Sequence, residues 1–448
     1  MDAQPGQTKR RWDFPQSLSA LRYPNYRLFI SGQIVSLTGS WVHSTALSWL
    51  VYNLLTQSSF FLGLLNFALQ IPVLLLGLVA GAIADTVNRH RLLIWTQALF
   101  MCVSASLAAL CLIHTPAGVP VIAFWSALAL ATFSGVLKAF DMPARQAFLL
   151  EMVPRHELPN AVALNSLTFN MARVIGPSVA GVLIAQMGQL RPHQAGFGEG
   201  ICFAVDAVSF LAVLYSLFRM NVSARPAPPI EGSRARYLLD GLSYVKRQRH
   251  LRALMIHLAV LSVFGVPYLM MMPVYAKMVL HGAANEYGNL MTSVGVGAVF
   301  GGIIMTRRKS VRGLGSHMSR SVIGFCIALV LLAVNSHFVP AMALLACAGF
   351  FMVMAMIGSQ TLVQTVLPED IRGRVMSIYG MISIGFLPIG SLLSGAIAEH
   401  HGVRLLFIIN AIICAAATIY FALQLPVLRQ SALATPEYRE ALAAGDAR

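Results

Sequence analysis

Long apolar runs separated by short polar segments make up most of the chain, and this alternation limits the folds open to it. The first four runs cover about 26–55, 60–84, 92–113 and 121–140. A helix of about 20 apolar residues crosses a bilayer, and lipid offers the backbone no partners outside the helix. The chain of 448 residues has room for about twelve such spans with short loops. We therefore predict an all-α integral membrane protein.

Charged residues are few, and their placement indicates which side of the membrane they occupy. Only 11% of the chain is charged, whereas a soluble domain carries about 25%. The net charge of +15 would by itself allow nucleic-acid binding. However, the basic residues concentrate on one side of the predicted spans, in segments such as 9–27, 138–155 and 219–252. This asymmetry is typical of the cytoplasmic side. We therefore expect a multi-pass protein with both termini in the cytoplasm and no nucleic-acid partner.

The segment 219–252 divides the chain. It contains a Pro-rich stretch and then basic residues with apolar residues at helical spacing, which predicts an amphipathic helix on the cytoplasmic leaflet. It separates six spans at 26–218 from six at 253–424, the first of which is interrupted by Pro267 and Pro273. Residues 1–25 and 425–448 are expected to be a cytoplasmic N-terminal segment and a cytoplasmic tail.

A second, shorter amphipathic helix is predicted between Pro143 and Pro154, on the cytoplasmic side of the fourth span. This interpretation places Lys138 and Asp141 at or beyond the cytoplasmic end of that span. Asp206 is then the only carboxylate expected in the middle of a span.

The two groups of spans are related by an internal repeat. Four residues of the first group recur in the second at one constant separation along the chain: Pro154, Gly176, Gly181 and Gly188 match Pro368, Gly390, Gly395 and Gly402. Chance supplies single glycine matches, but one shared separation favours duplication of a six-helix unit.

Polar residues within the first two spans are candidates for a substrate cavity. In the first span they recur at steps of three and four, which places them on one helix face. In the second span two of them are four residues apart. Such a stripe faces other helices or a water-filled cavity, so cavity lining and hydrogen bonding between helices both remain open. The candidates are Gln33, Ser36, Ser40, His43, Ser44, Asn66 and Gln70.

Two charged residues are predicted at membrane depth. Arg173 lies in the fifth span, one turn after Asn170, and an arginine there costs about 2.5–3.5 kcal/mol on insertion scales. It therefore faces a cavity, as an anion site for substrate, or it pairs with Asp206 in the sixth span. A buried carboxylate can take up and release a proton, so Asp206 is the candidate for proton coupling. A purely structural ion pair is the alternative.

The segment Gly81-Ala-Ile-Ala-Asp85-Thr-Val-Asn-Arg89-His-Arg91 follows the second span. Its Gly, Asp and Arg spacing resembles the loop 2–3 signature of the major facilitator superfamily. The resemblance implies twelve transmembrane helices in two pseudo-symmetric six-helix halves, with the substrate site between them. It also implies that Gly81, Asp85, Arg89 and Arg91 form a cytoplasmic gate, with Asp85 near the start of the eleventh span.

The segment Arg173-Val-Ile-Gly176-Pro177-Ser-Val-Ala-Gly181 resembles part of the antiporter motif of this superfamily, without its upstream glycines. This resemblance favours export, and a Gly-Pro pair predicts a bend in the fifth span at Gly176, Pro177 and Gly181.

Three further stretches, at 24–41, 140–146 and 158–166, are similar to bacterial exporters of the enterobactin-exporter type, a group with macrolide-efflux-like members. The similarity implies an inner-membrane transporter driven by the proton gradient, with no cofactor and with alternating access. Siderophore export is the first expectation, and a polyspecific drug pump or a lipid or nutrient importer are alternatives. A non-transporting polytopic sensor is a distant one.

No enzyme constellation is present in the sequence: there is no nucleotide-binding loop, nucleophile motif or metal-spaced cluster. We therefore expect no catalytic, cofactor or metal site. The expected partners are a small-molecule substrate and the lipid bilayer, and the protein is expected to act as a monomer.

Overall fold

The computed structural model describes residues 16–220, 234–308 and 312–433, and it describes them as helices joined by short turns. After a 3-10 turn at Gln16–Arg22, the first six helices are α1 (Pro24–Leu50), α2 (Ser59–Thr86), α3 (Arg89–Leu112), α4 (Phe124–Met152), α5 (Leu158–Leu190) and α6 (Phe197–Arg219). A π-helical turn at Val51–Thr56 extends α1. These six helices pack against one another around buried aliphatic and aromatic side chains.

The second part of the chain begins with α7 (Arg234–Arg247), which packs on the helix at 369–385. The helices that follow it are α8 (Arg249–Val260), α9 (Met272–Met278), α10 (Ala284–Thr306), α11 (Leu314–Val334), α12 (Phe338–Val366), α13 (Glu369–Gly385) and α14 (Leu387–Leu433). A π turn and a 3-10 turn, Leu261–Gly265 and Val266–Met271, join α8 to α9 where the sequence predicts an interruption.

The helices are long and apolar enough to cross a membrane repeatedly. Nine stretches of the described chain meet that criterion, and the longest, Glu369–Val427, has 59 residues and turns at Gly402, where φ is 80°. That stretch has the length of two crossings. Helices α1 and α4 are not among the nine stretches, because their polar residues lower their mean hydropathy. Counting them as spans gives the expected twelve transmembrane helices. The predicted all-α membrane fold is confirmed, whereas the domain boundaries stay predictions.

The fourth span differs from the prediction. The structure has one continuous helix, α4, in place of a span at 121–140 followed by a separate amphipathic helix, and Pro143 lies inside it. A proline removes one backbone hydrogen bond, which a helix packed among others tolerates. As a result, Lys138 lies at the midpoint of a membrane helix, and Asp141 lies one turn beyond it. Assigning both residues to the cytoplasmic side was wrong.

The linker helix also ends earlier than predicted. The predicted amphipathic helix extends to Arg252, but α7 ends at Arg247 and α8 begins at Arg249. Asp240 of α7 lies 3.6 Å from Arg374 of α13, so this helix is held against the second group of spans.

The glycines of the sequence repeat occupy equivalent contacts. Gly176 of α5 lies against Trp41 of α1, and its partner Gly390 lies against Val263, in the seventh span. Each glycine removes the side chain that would separate its helix from the first span of its own group. The repeat is therefore also a repeat of packing.

Candidate functional site

Asp206 is buried at mid-helix in α6 and contacts two side chains from other helices. Its Oδ2 atom lies 2.9 Å from Nδ1 of His43 in α1, and it accepts a hydrogen bond of 2.6 Å from Oγ of Ser104 in α3. His43 Nδ1 also lies 3.1 Å from that hydroxyl. Only 2% of Asp206 is exposed. Three helices therefore meet in one titratable cluster near the middle of the membrane helices.

The absence of a side chain at Gly39 permits this cluster to form. A Cβ atom at Gly39 would lie 2.9 Å from Asp206 Oδ1 and 2.2 Å from Oγ of Ser209. The α1 backbone can thus approach α6 closely, and Oδ1 is buried with no hydrogen-bond partner among the described residues. A carboxylate with one unsatisfied buried oxygen is costly when ionised.

Lys138 is a charged residue whose depth in the bundle the sequence did not predict. It lies within electrostatic range of Asp206 and of Asp141. Buried Ser134 and Asp141, at i−4 and i+3 on α4, share its helix face. That face carries buried residues and therefore points into the bundle. The accessible side chain of Lys138 thus faces an interior space between helices and not lipid. The signal that would have found it is the regular polar spacing 134, 138, 141 and 145 across Pro143.

Asp141 is a second buried carboxylate, and its charge is compensated. Oδ2 accepts a hydrogen bond of 2.6 Å from Nη2 of Arg145, and Oδ1 accepts bonds from Thr96 and Gln97 of α3. Arg145 also donates to Oε1 of Gln33 in α1. These contacts bind α1, α3 and α4 together. They also assign the predicted cavity residue Gln33 to a buried polar network.

Arg173 lies at mid-helix in α5, half-buried, and it does not pair with Asp206. Its Cζ atom lies 5.9 Å from the ring centroid of Trp41, and it is within electrostatic range of Tyr268 in the seventh span. A cation over an indole ring is stabilised by about 0.5–2 kcal/mol. The ion-pair contact of Asp206 is with His43 and not with Arg173 among the described residues. The predicted alternative of a structural pair between Arg173 and Asp206 is therefore wrong.

The other predicted cavity residues are dispersed. Ser36 is buried against neighbouring helices, whereas Ser44 is exposed. Asn66 and Asn170 each donate a hydrogen bond to the carbonyl four residues earlier in their own helix. The remaining two, Ser40 and Gln70, are half-buried. Of the predicted set, the structure joins only His43 with Asp206. Cavity lining by the others stays a prediction.

Gly176, Pro177 and Gly181 lie inside the uninterrupted helix α5, and the bend predicted there stays a prediction. The two glycines instead provide close contacts. A Cβ atom at Gly181 would lie 2.8 Å from the carbonyl oxygen of Ala284 in α10. Helix α5 therefore crosses the second group of spans here.

The predicted gate motif joins α2 to α3. Gly81 is half-buried, Arg91 is exposed, and the side chain of Asp85 lies outside what the structure describes. Nη1 of Arg89 lies 2.6 Å from Oε1 of Glu151 at the end of α4, and both side chains are 14% exposed. Sequence reasoning missed Glu151 because it was assigned to a separate helix. The gating role of the motif stays a prediction.

We call the end of the bundle that carries Arg89, Arg155 and Arg219 the basic end. At the opposite end, which we call the glycine end, the two groups of spans cross at two glycine pairs. Gly63 of α2 meets Gly395 of α14, and Gly181 of α5 meets Gly288 of α10; a Cβ atom at any of the four would lie within 3.0 Å of a backbone atom of the other group.

The crossing at the glycine end is reinforced by polar and aromatic contacts between the groups. Oε2 of Glu399 accepts hydrogen bonds from the backbone N–H groups of Ser59 (2.7 Å) and Phe60 (3.3 Å), at the N-terminus of α2. Trp49 stacks on Tyr287 with ring centroids 5.6 Å apart. The sequence did not predict the role of exposed Glu399, because no motif distinguishes it from other acidic residues.

A family model described as "Transmembrane secretion effector", which is a major facilitator superfamily model, matches residues 16–444. Among curated relatives, the Staphyloferrin A transporter of Staphylococcus aureus is 27% identical over 398 residues, which cover 88% of this chain and 95% of that protein. The multidrug efflux pump Tap of Mycolicibacterium fortuitum is 25% identical over 392 residues, covering 85% and 91%.

Solved structures show the same fold at low sequence identity. A bacterial homologue of the human lysosomal transporter Spinster has a TM-score of 0.69 at 14% identity, covering 91% of this chain and 98% of that one. A D-xylose–proton symporter has a TM-score of 0.67 at 17% identity, covering 89% and 97%. Taken with the family match, these findings lead to one conclusion: the chain belongs to the transmembrane secretion effector family of major facilitator superfamily transporters.

Proposed function

We propose that this transporter exports a small organic molecule such as a siderophore across the bacterial inner membrane in exchange for protons, by alternating access. The observation that carries the proposal is the Asp206 cluster. A carboxylate with one buried, unpartnered oxygen, beside an imidazole and at mid-membrane depth, can hold a proton in one conformation and release it in another. The proton gradient supplies the energy, and no cofactor or catalytic step is required.

The position of the glycine crossings supports a state that is closed on the outside. The positive-inside rule makes the basic end cytoplasmic, with both termini on that side. The glycine end then faces outward, and the two halves meet there through Gly63, Gly395, Gly181 and Gly288. In our proposal the central space opens toward the cytoplasm, where an exported molecule enters. Opening of the glycine crossings then exposes Asp206 to external protons.

The relatives support export of a small molecule but differ in what they carry. One is named as a transporter of staphyloferrin A, and another as a multidrug efflux pump. Polyspecific drug efflux is therefore the second candidate. Methionine-rich stretches would suit an adaptable apolar site, but Met271, Met272, Met352 and Met354 are each at most 7% exposed and pack in the core. We propose a monomer in which the substrate is the only soluble partner.

Flux in proteoliposomes tests this function. Wild-type protein should accumulate substrate against its gradient when a pH gradient is imposed. Asp206→Asn should lose this accumulation while still exchanging labelled for unlabelled substrate without a gradient. Glu286→Gln is the matched control, because Glu286 caps its own helix α10 and Gln keeps the acceptor.

The substrate panel contains an iron-free hydroxycarboxylate siderophore, an iron-free catecholate siderophore, a macrolide and a cationic dye. Transport of a siderophore alone would support a dedicated exporter, whereas transport of the dye and the macrolide would support drug efflux. Folded protein that moves none of the probes, or accumulation by Asp206→Asn equal to that of the wild type, would contradict the proposal.

A further inference from the structure

Within the part of the chain that the structure describes, two cations at the middle of the membrane helices have no carboxylate partner. Among the described residues, neither Lys138 of α4 nor Arg173 of α5 lies within ion-pair distance of an acidic side chain. Lys138 is at the midpoint of α4, and Arg173 is close to the midpoint of α5. A cation at this depth costs free energy unless water or an anion compensates it.

Two carboxylates in the same group of spans form ion pairs with arginine. Arg145 pairs with Asp141 at 2.6 Å, Arg89 pairs with Glu151 at 2.6 Å, and the single side-chain ion-pair contact of Asp206 is with His43 at 2.9 Å within the described residues. Asp141 is therefore already paired with Arg145, and the ion-pair contact of Asp206 is with His43 and with neither Lys138 nor Arg173 among the described residues. Lys138 and Arg173 leave the interior space with an excess of positive charge.

Neither cation is fully buried. Lys138 is exposed although it shares a helix face with buried Ser134 and Asp141, and Arg173 is only partly buried. The ring of Trp41 in α1 lies beside the Arg173 guanidinium. Arg173 is also in electrostatic range of Tyr268, so it faces the second group of spans. A molecule held there would contact both halves of the transporter.

We infer that the transported molecule is an organic anion whose acidic groups pair with Lys138 and Arg173. The inference rests on the proposed function, since it takes the interior space to be the transport site. Arg173 supplies a planar, bidentate donor for a carboxylate or a similar group, and Lys138 supplies a point charge. Two cationic side chains would instead repel a cationic drug.

Equilibrium binding to purified protein without any gradient tests the inference. The probes are the iron-free hydroxycarboxylate siderophore and its neutral methyl ester, the iron-free catecholate siderophore, and a cationic dye. We expect an anionic probe to bind more tightly than the ester and the dye. Lys138→Met and Arg173→Met should each weaken it by about tenfold or more, the usual effect of losing one charge-assisted hydrogen bond.

Two further variants separate a direct contact from damage to the fold. Lys138→Arg keeps the positive charge and should retain most of the affinity. Lys277→Met makes the same chemical change as Lys138→Met, but at an exposed position at the glycine end, and should bind as the wild type does. Thermal unfolding checks that each variant is folded.

The inference is overturned if the ester or the dye binds as tightly as the anions. It is equally overturned if every anionic probe binds a Lys138→Met/Arg173→Met double variant at least as tightly as it binds the wild type. The flux experiment tests the proposed function separately. If an anion binds but a pH gradient does not drive its transport, proton-driven export is contradicted and the anion site is not. If a pH gradient drives transport of neutral or cationic probes but of no anion, the anion site is contradicted and proton-driven export is not.

Discussion

The Glu399 carboxylate and the Ser59 backbone belong to different halves of the transporter, and a 2.7 Å hydrogen bond joins them at the glycine end. The same oxygen accepts the N–H of Phe60, so an acidic group lies at the positive N-terminus of α2. The bond can persist only while the two halves are together at this end. Glu399 therefore stabilises the state in which the glycine end is closed, and in our proposal that end faces outward.

Glu399→Ala should shift the protein toward the outward-open state. An acidic group at an exposed helix N-terminus contributes about 0.3–1 kcal/mol, so the expected shift is about two- to fivefold. The readout is labelling of Ser48→Cys by a membrane-impermeant thiol reagent, in a background where exposed Cys102 and Cys347 are replaced. Glu399→Gln keeps the acceptor and should change labelling less. Equal labelling in all three proteins would show that the contact is inconsequential.

The glycine crossings should be intolerant of a methyl group. In Gly63→Ala the added Cβ would lie 2.5 Å from the carbonyl oxygen of Ser391. Relieving such a clash costs about 1–3 kcal/mol, which should disfavour the closed outer end and slow transport. Gly77→Ala is the control in the same helix, because no described atom outside the adjacent turns of α2 lies within 4 Å of its Cβ position. Normal transport by Gly63→Ala would contradict this role for the crossing.

The Arg89–Glu151 ion pair should contribute to stability, because both side chains are largely shielded from water. Glu151→Gln leaves Arg89 without this charged partner, and we expect a lower thermal unfolding midpoint. Exchanging the two charges in an Arg89→Glu/Glu151→Arg double variant should recover part of the loss, with a coupling free energy of about 1 kcal/mol. If the effects of Arg89→Glu and Glu151→Arg on the free energy of unfolding simply add in the double variant, a direct interaction is excluded.

His43 should be needed for coupling and not for folding. His43→Phe keeps an aromatic ring, and with it the edge contact to Phe203 at a centroid distance of 5.0 Å, but removes the nitrogen that faces Asp206. Gradient-driven accumulation should fall by about tenfold, as expected for one lost charge-assisted hydrogen bond. Exchange without a gradient should remain, and loss of both activities together would indicate a structural role instead.

Much of the fold could be predicted from the sequence, because apolar length and the side preference of basic residues are local properties. The matching glycines indicated the repeat because a constant separation can be read directly from the sequence. The pairing of His43 with Asp206 could not be predicted, because it depends on how α1 and α6 pack at Gly39. Lys138 was misplaced because Pro143 was interpreted as a helix end. Neighbouring helices instead support a continuous α4 through that proline.

A similar segment in the second half also indicates that Asp206→Asn can fold. The sequence Phe203-Ala-Val-Asp206-Ala resembles Phe407-Ile-Ile-Asn410-Ala in the second half, and Asn410 is fully buried there. An asparagine is thus compatible with a buried position of the equivalent helix. Asp206→Asn removes the titratable group and keeps the size of the side chain, which makes it the decisive variant.

The most direct test of proton-coupled export is to record luminal pH and substrate movement together in the same proteoliposomes. When substrate is added on the cytoplasmic side, wild-type protein should move protons in the opposite direction to the substrate, and Asp206→Asn should move no protons. Substrate movement without any proton movement would contradict the account, and so would proton movement that persists in Asp206→Asn.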